Sequence, residues 1–477
     1  MSRHATNPWV VLVLICFAQF MVVLDATVVN VALPSIQKDL HMTEANLQWI
    51  VNAYTLVFGD FLLLGGRAGD LLGRKRLFLG GLVVFTLASL LDGLSGSQGM
   101  LIGARSLQGL GAAFISPAAL AIISTTFKEG SERAKALGIW AAIAIGGSAV
   151  GLVLGGALTQ SLSWPWIFFI NVPVGVAVFA LSLRLIPESR DEALHRSFDI
   201  PGAVTVTGGL MVLVYGIVQA QQKGWGSAQT IVTFALAAAL LASFVAIELR
   251  ARSPLVRLSI FRVRSLATAN IVMLFVMSGM FAMFFFNSLY IQRVLGYGPL
   301  KAGLAFLPFT AGIMASAGFA SNFAPKIGVR TIAIVGMVLS SVGLLLLTRT
   351  PVHGSYVADV LPSLIVVSLG MGSVFVPLTL IATTGLEDDD QGLASGLFNT
   401  SQQVGGALGL AILSTVAASR TTHLGGSSPA ALVGGFHYAF AGSALFVLAG
   451  FVALVGMLRA KHVEGIDAEA APAGIPA

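Results

Sequence analysis

The sequence predicts an all-α integral membrane protein, and three observations lead to that fold class. Of the 477 residues, 56% are hydrophobic and only 10% are charged, and the mean hydropathy is +0.88. A soluble domain carries about a quarter charged residues, so this chain has too few charges for a surface in contact with water. Apolar runs of about 20 residues, the length that crosses a bilayer as a helix, recur along the whole chain.

These apolar runs predict fourteen transmembrane helices. The predicted spans are 9–31, 47–66, 77–95, 99–125, 136–160, 166–186, 200–220, 229–249, 266–290, 301–323, 331–349, 360–384, 392–418 and 437–458. Glycine, proline and charged residues separate the runs, and no connection is long enough to hold an extramembrane domain. Because the number of spans is even, both termini are predicted to lie on the same side of the membrane.

Lysine and arginine predict the orientation. Most of the 27 lie in the tails and in alternate loops, including 74–76 and the basic segment 250–264. Cytoplasmic loops of membrane proteins are enriched in these residues, so both termini are predicted to be cytoplasmic. The basic segment is expected either to fix the orientation and contact anionic lipid headgroups or to have a specific regulatory role. Topology therefore explains the net charge of +6, and no nucleic-acid partner is expected.

Several classes of function lack their motif in this sequence. The one cysteine, Cys16, excludes an intramolecular disulfide and a cysteine-rich metal site. The sequence has no HExxH metal motif and no phosphate-binding loop ending in Gly-Lys-Ser/Thr. We therefore expect no bound metal, no ATP-driven pumping, no cofactor and no enzymatic activity.

Among the ionisable residues inside the predicted spans, four stand out: Asp25, Asp60, Asp92 and Arg105. Such residues are costly in lipid and usually functional. Asp25 and Arg105 lie at similar predicted depth, about 10 Å below the outer surface at 1.5 Å per residue. They are predicted to form either a proton-exchanging carboxylate tuned by an arginine or a static ion pair that orients two helices.

The other two acids have different expected roles. Asp60 lies on the cytoplasmic side of its span's midpoint. It is a second proton site, a counter-ion for a cationic substrate, or an idle carboxylate in water. Asp92 lies near the outer end of its span, and its side chain is expected to reach water.

The loop between the second and third spans is rich in glycine and charge. It contains Gly66, Asp70, Gly73 and Arg74. The glycines allow a tight turn, and Asp70 can accept hydrogen bonds from the amides that open the next helix or from Arg74.

Two further stripes recur at helical spacing. In the fifth span, a smooth face that suits close helix packing or a sliding contact is formed by Gly147, Gly151 and Gly155. In the ninth span, a second stripe is formed by Met273, Met277, Met280, Phe284 and Asn287. This stripe is either helix–helix core or an adaptable lining for varied apolar substrates.

Motifs spread over nearly the whole chain carry a family resemblance. They are LDATVVNVALP at 24–34, the loop 66–76, WIFFINVP at 166–173, matches between 290 and 308, and, in the fourth span, Leu101, Arg105, Gln108, Gly109 and Gly111. Together they resemble the motifs of the fourteen-helix drug:proton antiporters of the major facilitator superfamily. Leu152 departs from the family pattern, since it stands where the antiporter motif has a proline. Pro325 departs too, since it stands where the second-half counterpart of Asp70 would align.

The resemblance implies a major-facilitator fold of two six-helix bundles with two additional central helices. The expected parts are an N-terminal bundle at 1–199, inserted helices and a basic loop at 200–264, a C-terminal bundle at 265–459, and a cytoplasmic tail at 460–477. In such a fold the substrate binds between the bundles, which rock around it.

The resemblance also implies a function. We expect proton-coupled efflux of small lipophilic, cationic compounds by a monomer in a bacterial inner membrane. Asp25, Arg105 and Asp60 would couple transport to protons, and the loop residues Gly66, Asp70, Gly73 and Arg74 would form a cytoplasmic gate. The alternative is a dedicated exporter of a single antibiotic or metabolite.

Overall fold

The computed structural model of the protein describes residues 7–127, 131–187, 199–251, 254–383, 388–426 and 428–458. The predicted tail at 460–477 lies outside these residues. Throughout the described residues the secondary structure is helical, with no strand. The α-helices are α1 Pro8–Asp39, α2 Glu44–Leu47, α3 Trp49–Leu72, α4 Arg74–Gly93, α5 Gln98–Thr126, α6 Ser131–Ser161, α7 Trp166–Phe169, α8 Asn171–Leu185, α9 Ile200–Lys223, α10 Ala228–Arg250, α11 Arg264–Leu289, α12 Pro299–Ala305, α13 Leu307–Ile327, α14 Val329–Leu347, α15 Leu361–Thr383, α16 Asp388–His423 and α17 Pro429–Met457.

Thirteen of the described helical segments are long and apolar enough to cross a membrane. The fifth predicted span coincides with the 31-residue helix α6, so a helix lies at every predicted span. The all-helical membrane architecture is confirmed.

Several helix ends differ from the predicted spans, because hydropathy marks the lipid core whereas capping residues mark the helix end. Helix α1 continues to Asp39, eight residues past the predicted end of the first span. Helix α17 begins at Pro429 rather than at 437, because the Ser428 side chain accepts a hydrogen bond from the Ala431 amide and caps the helix. The tenth span is divided into α12 and α13 at Phe306. Pro308 can begin a new helix, but it has no backbone N–H to donate to the preceding helix.

The described residues form two compact units. The first comprises the residues up to Val212 together with Ala235–Leu255 and Gly298–Leu304. The second comprises Leu213–Phe234, Val256–Tyr297 and the residues from Ala305 onward. Each of the helices α9 and α10 contributes to both units, and the boundaries predicted at 199 and 264 stay predictions.

Small residues allow the helices of the first unit to pack closely. Helix α5 packs against α3 and α4, with Gly109 against the Tyr54 carbonyl and Gly111 against the Phe85 backbone. Helix α6 packs against α1 through the predicted glycine face. There Gly151 lies against Leu24 and Thr27, and Gly155 lies against Val28.

The same glycine turn occurs in both units. Gly73 joins α3 to α4 with φ 102° and ψ 130°, and Gly328 joins α13 to α14 with φ 94° and ψ 131°. Residues with a Cβ rarely adopt such positive φ values, so this turn requires glycine at both positions.

The α1–α6 contact generates a stability prediction. A methyl group at Gly151 would overlap Thr27 Oγ1, whereas one at Gly146 on the same helix would meet nothing within 4 Å. Both Gly→Ala changes raise helix propensity by about 1 kcal/mol, but only Gly151→Ala overpacks the interface, at a cost of about 1–3 kcal/mol. Thermal unfolding in detergent should therefore rank Gly151→Ala below Gly146→Ala. Equal melting temperatures for the two variants would contradict the packing.

Candidate functional site

Asp25 is at the centre of a buried polar cluster in the first unit. It lies on α1 and is 0% exposed. Arg105 Nη1 donates to its Oδ2 over 2.5 Å. Its Oδ1 accepts from Gln108 Nε2 over 2.8 Å and from Asn171 Nδ2 over 3.0 Å. Helices α1, α5 and α8 therefore meet at one carboxylate, whose two oxygens are both bonded.

Arg105 is held by contacts on several sides. Its Nε donates to the Ile50 carbonyl of α3 over 3.1 Å, and its Nη1 also donates to Gln108 Oε1. The guanidinium carbon lies 4.3 Å from the centroid of the Tyr54 ring and 5.6 Å from that of Phe168. A buried ion pair is tolerated when further hydrogen bonds satisfy both ions, and this site supplies them.

Local helix geometry explains why the donors converge. Arg105 and Gln108 are three residues apart on α5, so they lie on the same face one turn apart. Gln108 also bridges to α4, because its Nε2 donates to Ser89 Oγ over 2.6 Å. Asn171 Nδ2 also donates to Ser89 Oγ, over 3.4 Å. Every member of the cluster belongs to a helix of the first unit.

The structure brings the predicted residues Asp25 and Arg105 together and adds partners that sequence reasoning did not assign. In the sequence, Gln108 and Asn171 stand out only as parts of matching motifs, and Ser89 and Tyr54 do not stand out. The spacing of Arg105 and Gln108 is a usable signal for one shared target. An asparagine inside the apolar run at 166–186 is a second such signal.

Asp60 is not part of this cluster. It lies ten residues after Ile50 on α3, about 15 Å farther along the helix at 1.5 Å per residue. It is 2% exposed, and its two carboxylate oxygens have no hydrogen-bond partner among the described residues. An idle carboxylate in water does not match this burial.

The expectation that Asp92 reaches water is wrong. Asp92 is 0% exposed, although it lies one residue before the end of α4. The neighbouring Gly93 lies against the Phe169 ring, so α7 covers this end of α4. Depth along a helix does not reveal which face a neighbour covers, and the sequence prediction failed for that reason.

The predicted gate residues are partly described. Gly73 forms the turn between α3 and α4, and Arg74 is the half-buried first residue of α4. Gly66 lies on the side of α3 near Pro117 of α5. The side chain of Asp70 lies outside the described residues.

The predicted stripe on α11 is mostly buried within the second unit. Met273, Met277 and Met280 are buried. Phe284 is half-buried, with its ring centroid 5.6 Å from that of Phe306 and 4.9 Å from that of Phe309. Asn287 is fully buried, and its amide atoms have no hydrogen-bond partner among the described residues.

Two remaining sequence features concern α6 and metals. Leu152 is buried, and α6 runs through it as one continuous helix. Within the described part of the chain, no group of three or more histidine, cysteine, aspartate or glutamate residues could hold a metal ion.

Comparison with a solved structure supports the fold. A bacterial homologue of the human lysosomal transporter Spinster, in an inward-facing and unoccupied conformation, superposes with a TM-score of 0.67. The superposition covers 97% of this chain and 99% of that chain at 15% sequence identity. At that identity the likeness concerns the fold alone.

Curated relatives match over nearly the whole chain. The puromycin resistance protein pur8 of Streptomyces alboniger is 41% identical, over 90% of this chain and 86% of that protein. The cephamycin export protein CmcT of Amycolatopsis lactamdurans is 40% identical, over 92% of this chain and 90% of that protein. The multidrug resistance protein Stp of Mycobacterium tuberculosis is 37% identical, over 84% of this chain and 74% of that protein.

A family model described as Major Facilitator Superfamily matches residues 15–410. That match agrees with the helical architecture and with the relatives, which are named for antibiotic resistance and export. The chain therefore belongs to the Major Facilitator Superfamily, whose members are membrane transporters rather than enzymes.

Proposed function

We propose that this protein exports small lipophilic compounds, cationic ones among them, in exchange for protons. The observation that carries the proposal is the fully buried Asp25 carboxylate, bonded to Arg105 at the junction of α1, α5 and α8. A carboxylate inside a membrane protein is expensive, and such residues commonly take part in proton relays. The relatives named for resistance and export support export as the direction of transport.

Protonation of Asp25 would couple the proton to the conformation. A neutral Asp25 no longer compensates the guanidinium, and an uncompensated buried charge costs several kcal/mol. The protein then favours a conformation in which Arg105 has another partner. A proton thus shifts the balance between two states only because the two states differ in how they compensate this charge.

Asp60 and the α11 stripe are the proposed substrate contacts. Asp60 is a buried acid without a hydrogen-bond partner among the described residues, and a lipophilic cation beside it would compensate its charge. Methionine side chains adapt to varied apolar shapes, so Met273, Met277 and Met280 suit a broad range of ligands. In the same scheme Gly66, Asp70, Gly73 and Arg74 close the cytoplasmic end.

A second candidate is export of one antibiotic or metabolite. It is favoured by relatives named for single compounds, the cephamycin export protein and the tetracenomycin C resistance and export protein of Streptomyces glaucescens. In both cases the protein acts as a monomer in the bacterial inner membrane, has both termini in the cytoplasm, and uses the proton gradient without a cofactor. A transport screen of lipophilic cations and neutral antibiotics distinguishes broad from single-compound export.

The first test replaces Asp25. Asp25→Asn keeps the size of the side chain but cannot exchange a proton, so ethidium transport driven by a pH gradient in proteoliposomes should be lost. Exchange of ethidium for ethidium without a gradient should continue. Asp39→Asn, which removes the same charge at the exposed end of the same helix, is the control and should behave as wild type. Gradient-driven transport by a well-folded Asp25→Asn protein would rule out Asp25 as the coupling residue.

The second test replaces Arg105. Arg105→Ala removes the positive charge beside Asp25, so the carboxylate loses its proton less readily and the pH profile of transport should move to higher pH. Arg105→Lys keeps the charge but not the planar set of donors, so it should restore much of the profile. A profile that stays unchanged in Arg105→Ala would leave Arg105 with a structural role only.

The third test asks whether Asp60 selects charge. Asp60→Asn should lower the transport of tetraphenylphosphonium about tenfold, equivalent to about 1.4 kcal/mol, because the cation loses a compensating carboxylate. Transport of the neutral compound chloramphenicol by the same vesicles should change less than about twofold, or about 0.4 kcal/mol. Equal effects on both compounds would show that Asp60 does not discriminate by charge.

A further inference from the structure

Asp92 is a second buried acid close to the Asp25 cluster, and the scheme above does not use it. It is 0% exposed, and its two carboxylate oxygens have no hydrogen-bond partner among the described residues. An isolated buried carboxylate is among the most expensive groups a protein can hold in ionised form. Its presence therefore calls for a physical explanation.

The register of α4 and α5 places Asp92 beside Arg105. Only four residues separate these helices, so they pack as antiparallel neighbours. Gly111 lies against Phe85, and Gln108 bonds to Ser89 one turn farther along. The next turn of each helix brings Asp92 and Arg105 to the same level. The Arg105 guanidinium interacts electrostatically with the carboxylates of both Asp92 and Asp25.

One cation thus faces two acids. The titratable groups that interact with Asp92 and Arg105 from the packed helices are Asp25 on α1 and Tyr54 on α3. The groups that α7 and α8 contribute to the cluster, Phe168 and Asn171, are neutral. In a site shielded from bulk water, one arginine can compensate only one carboxylate. The second acid therefore costs far less free energy in its protonated form than in its ionised form. Three donors point at Asp25, so here Asp25 is the carboxylate and Asp92 carries the proton.

The second unit shows that the fold does not need these charges. The turn glycines Gly73 and Gly328 give equivalent positions in the two units. Counted back from these glycines, Met280 is at the position equivalent to Asp25. Counted forward from them, Leu347 is at the position equivalent to Asp92. Met280 and Leu347 are both buried. An apolar residue fills each position in a unit that has the same glycine turn, so packing alone does not explain the acids.

We propose that Asp92 is the proton relay for Asp25, and that Arg105 changes its partner from Asp25 to Asp92 when the proton moves. The proton leaves the Asp92 hydroxyl and binds a carboxylate oxygen of Asp25. Asp92 is then ionised, and Arg105 compensates it. When Asp25 later releases its proton, Arg105 returns to it and Asp92 takes a new proton from water, so the cluster regains its starting charge. This inference rests on the proposed proton coupling through Asp25.

The position of Asp92 suits a relay to the aqueous end of the helices. Asp92 lies one residue before the end of α4, and residues 96–100, which follow, are exposed. Ser89 and Gln108, the residues bonded together with Asp25, lie one turn deeper. Asp92 is therefore between the exposed loop and the carboxylate that it would supply.

An infrared experiment on the purified protein tests the proton directly. The carbonyl absorption of protonated carboxylic acids should be weaker in Asp92→Asn than in wild type, because one of the buried protonated acids is removed. It should be weakened in the same way in Asp25→Asn, because Asp92 then gives up its proton and pairs with Arg105. A purely structural Asp92 would give no such dependence on Asp25. If Asp92→Asn retains the full band of the wild type, the inference is overturned.

A transport experiment tests the relay. In proteoliposomes, Asp92→Asn and Asp92→Leu should slow gradient-driven ethidium transport about tenfold, equivalent to about 1.4 kcal/mol, and should flatten its pH profile. The rate of ethidium-for-ethidium exchange should stay within about twofold of wild type, equivalent to about 0.4 kcal/mol. Ser95→Ala, at the same end of the hairpin, is the control and should match wild type. A wild-type rate and profile in Asp92→Asn would overturn the relay. If the gradient does not drive transport in wild type, the proposed function fails instead, and the infrared band alone decides whether Asp92 holds the proton.

Discussion

The ion pair between Arg105 and Asp25 is the interaction on which the arrangement of the first unit depends. Both side chains are almost completely removed from water, so the pair is stable only while its remaining donors and acceptors are satisfied. The Ile50 carbonyl, Gln108 and Asn171 satisfy them. Helices α1, α3, α5 and α8 are thereby fixed around one charge, and a change in that charge is felt by all four helices.

Close packing and polar bonding work together at this site. Gly109 and Gly111 let α3 and α4 approach α5, and the short separations allow side chains from these helices to reach one carboxylate. Gly151 and Gly155 do the same for α6 and α1. Without these contacts at the glycines, the bonds to Asp25 would have to span longer distances, and water could enter the cluster.

The sequence predicts the helices well because the lipid core imposes a length and a composition on every span. It also brings Asp25 and Arg105 to similar depth, since depth follows from counting residues along each helix. It does not predict which face of a helix meets a neighbour. For that reason the burial of Asp92 and the roles of Ser89 and Asn171 emerge only from the structure. Helix ends such as Pro429 depend on single capping side chains, which hydropathy does not detect.

The repeated turn at Gly73 and Gly328 bears on the history of the chain. Two helix pairs with the same unusual backbone at their junction are most simply the products of a duplicated gene segment, as in many transporter folds. The copies have since diverged, because one has acids where the other has Met280 and Leu347. The second unit thus serves as a natural reference for how this scaffold is built without acids at these two positions.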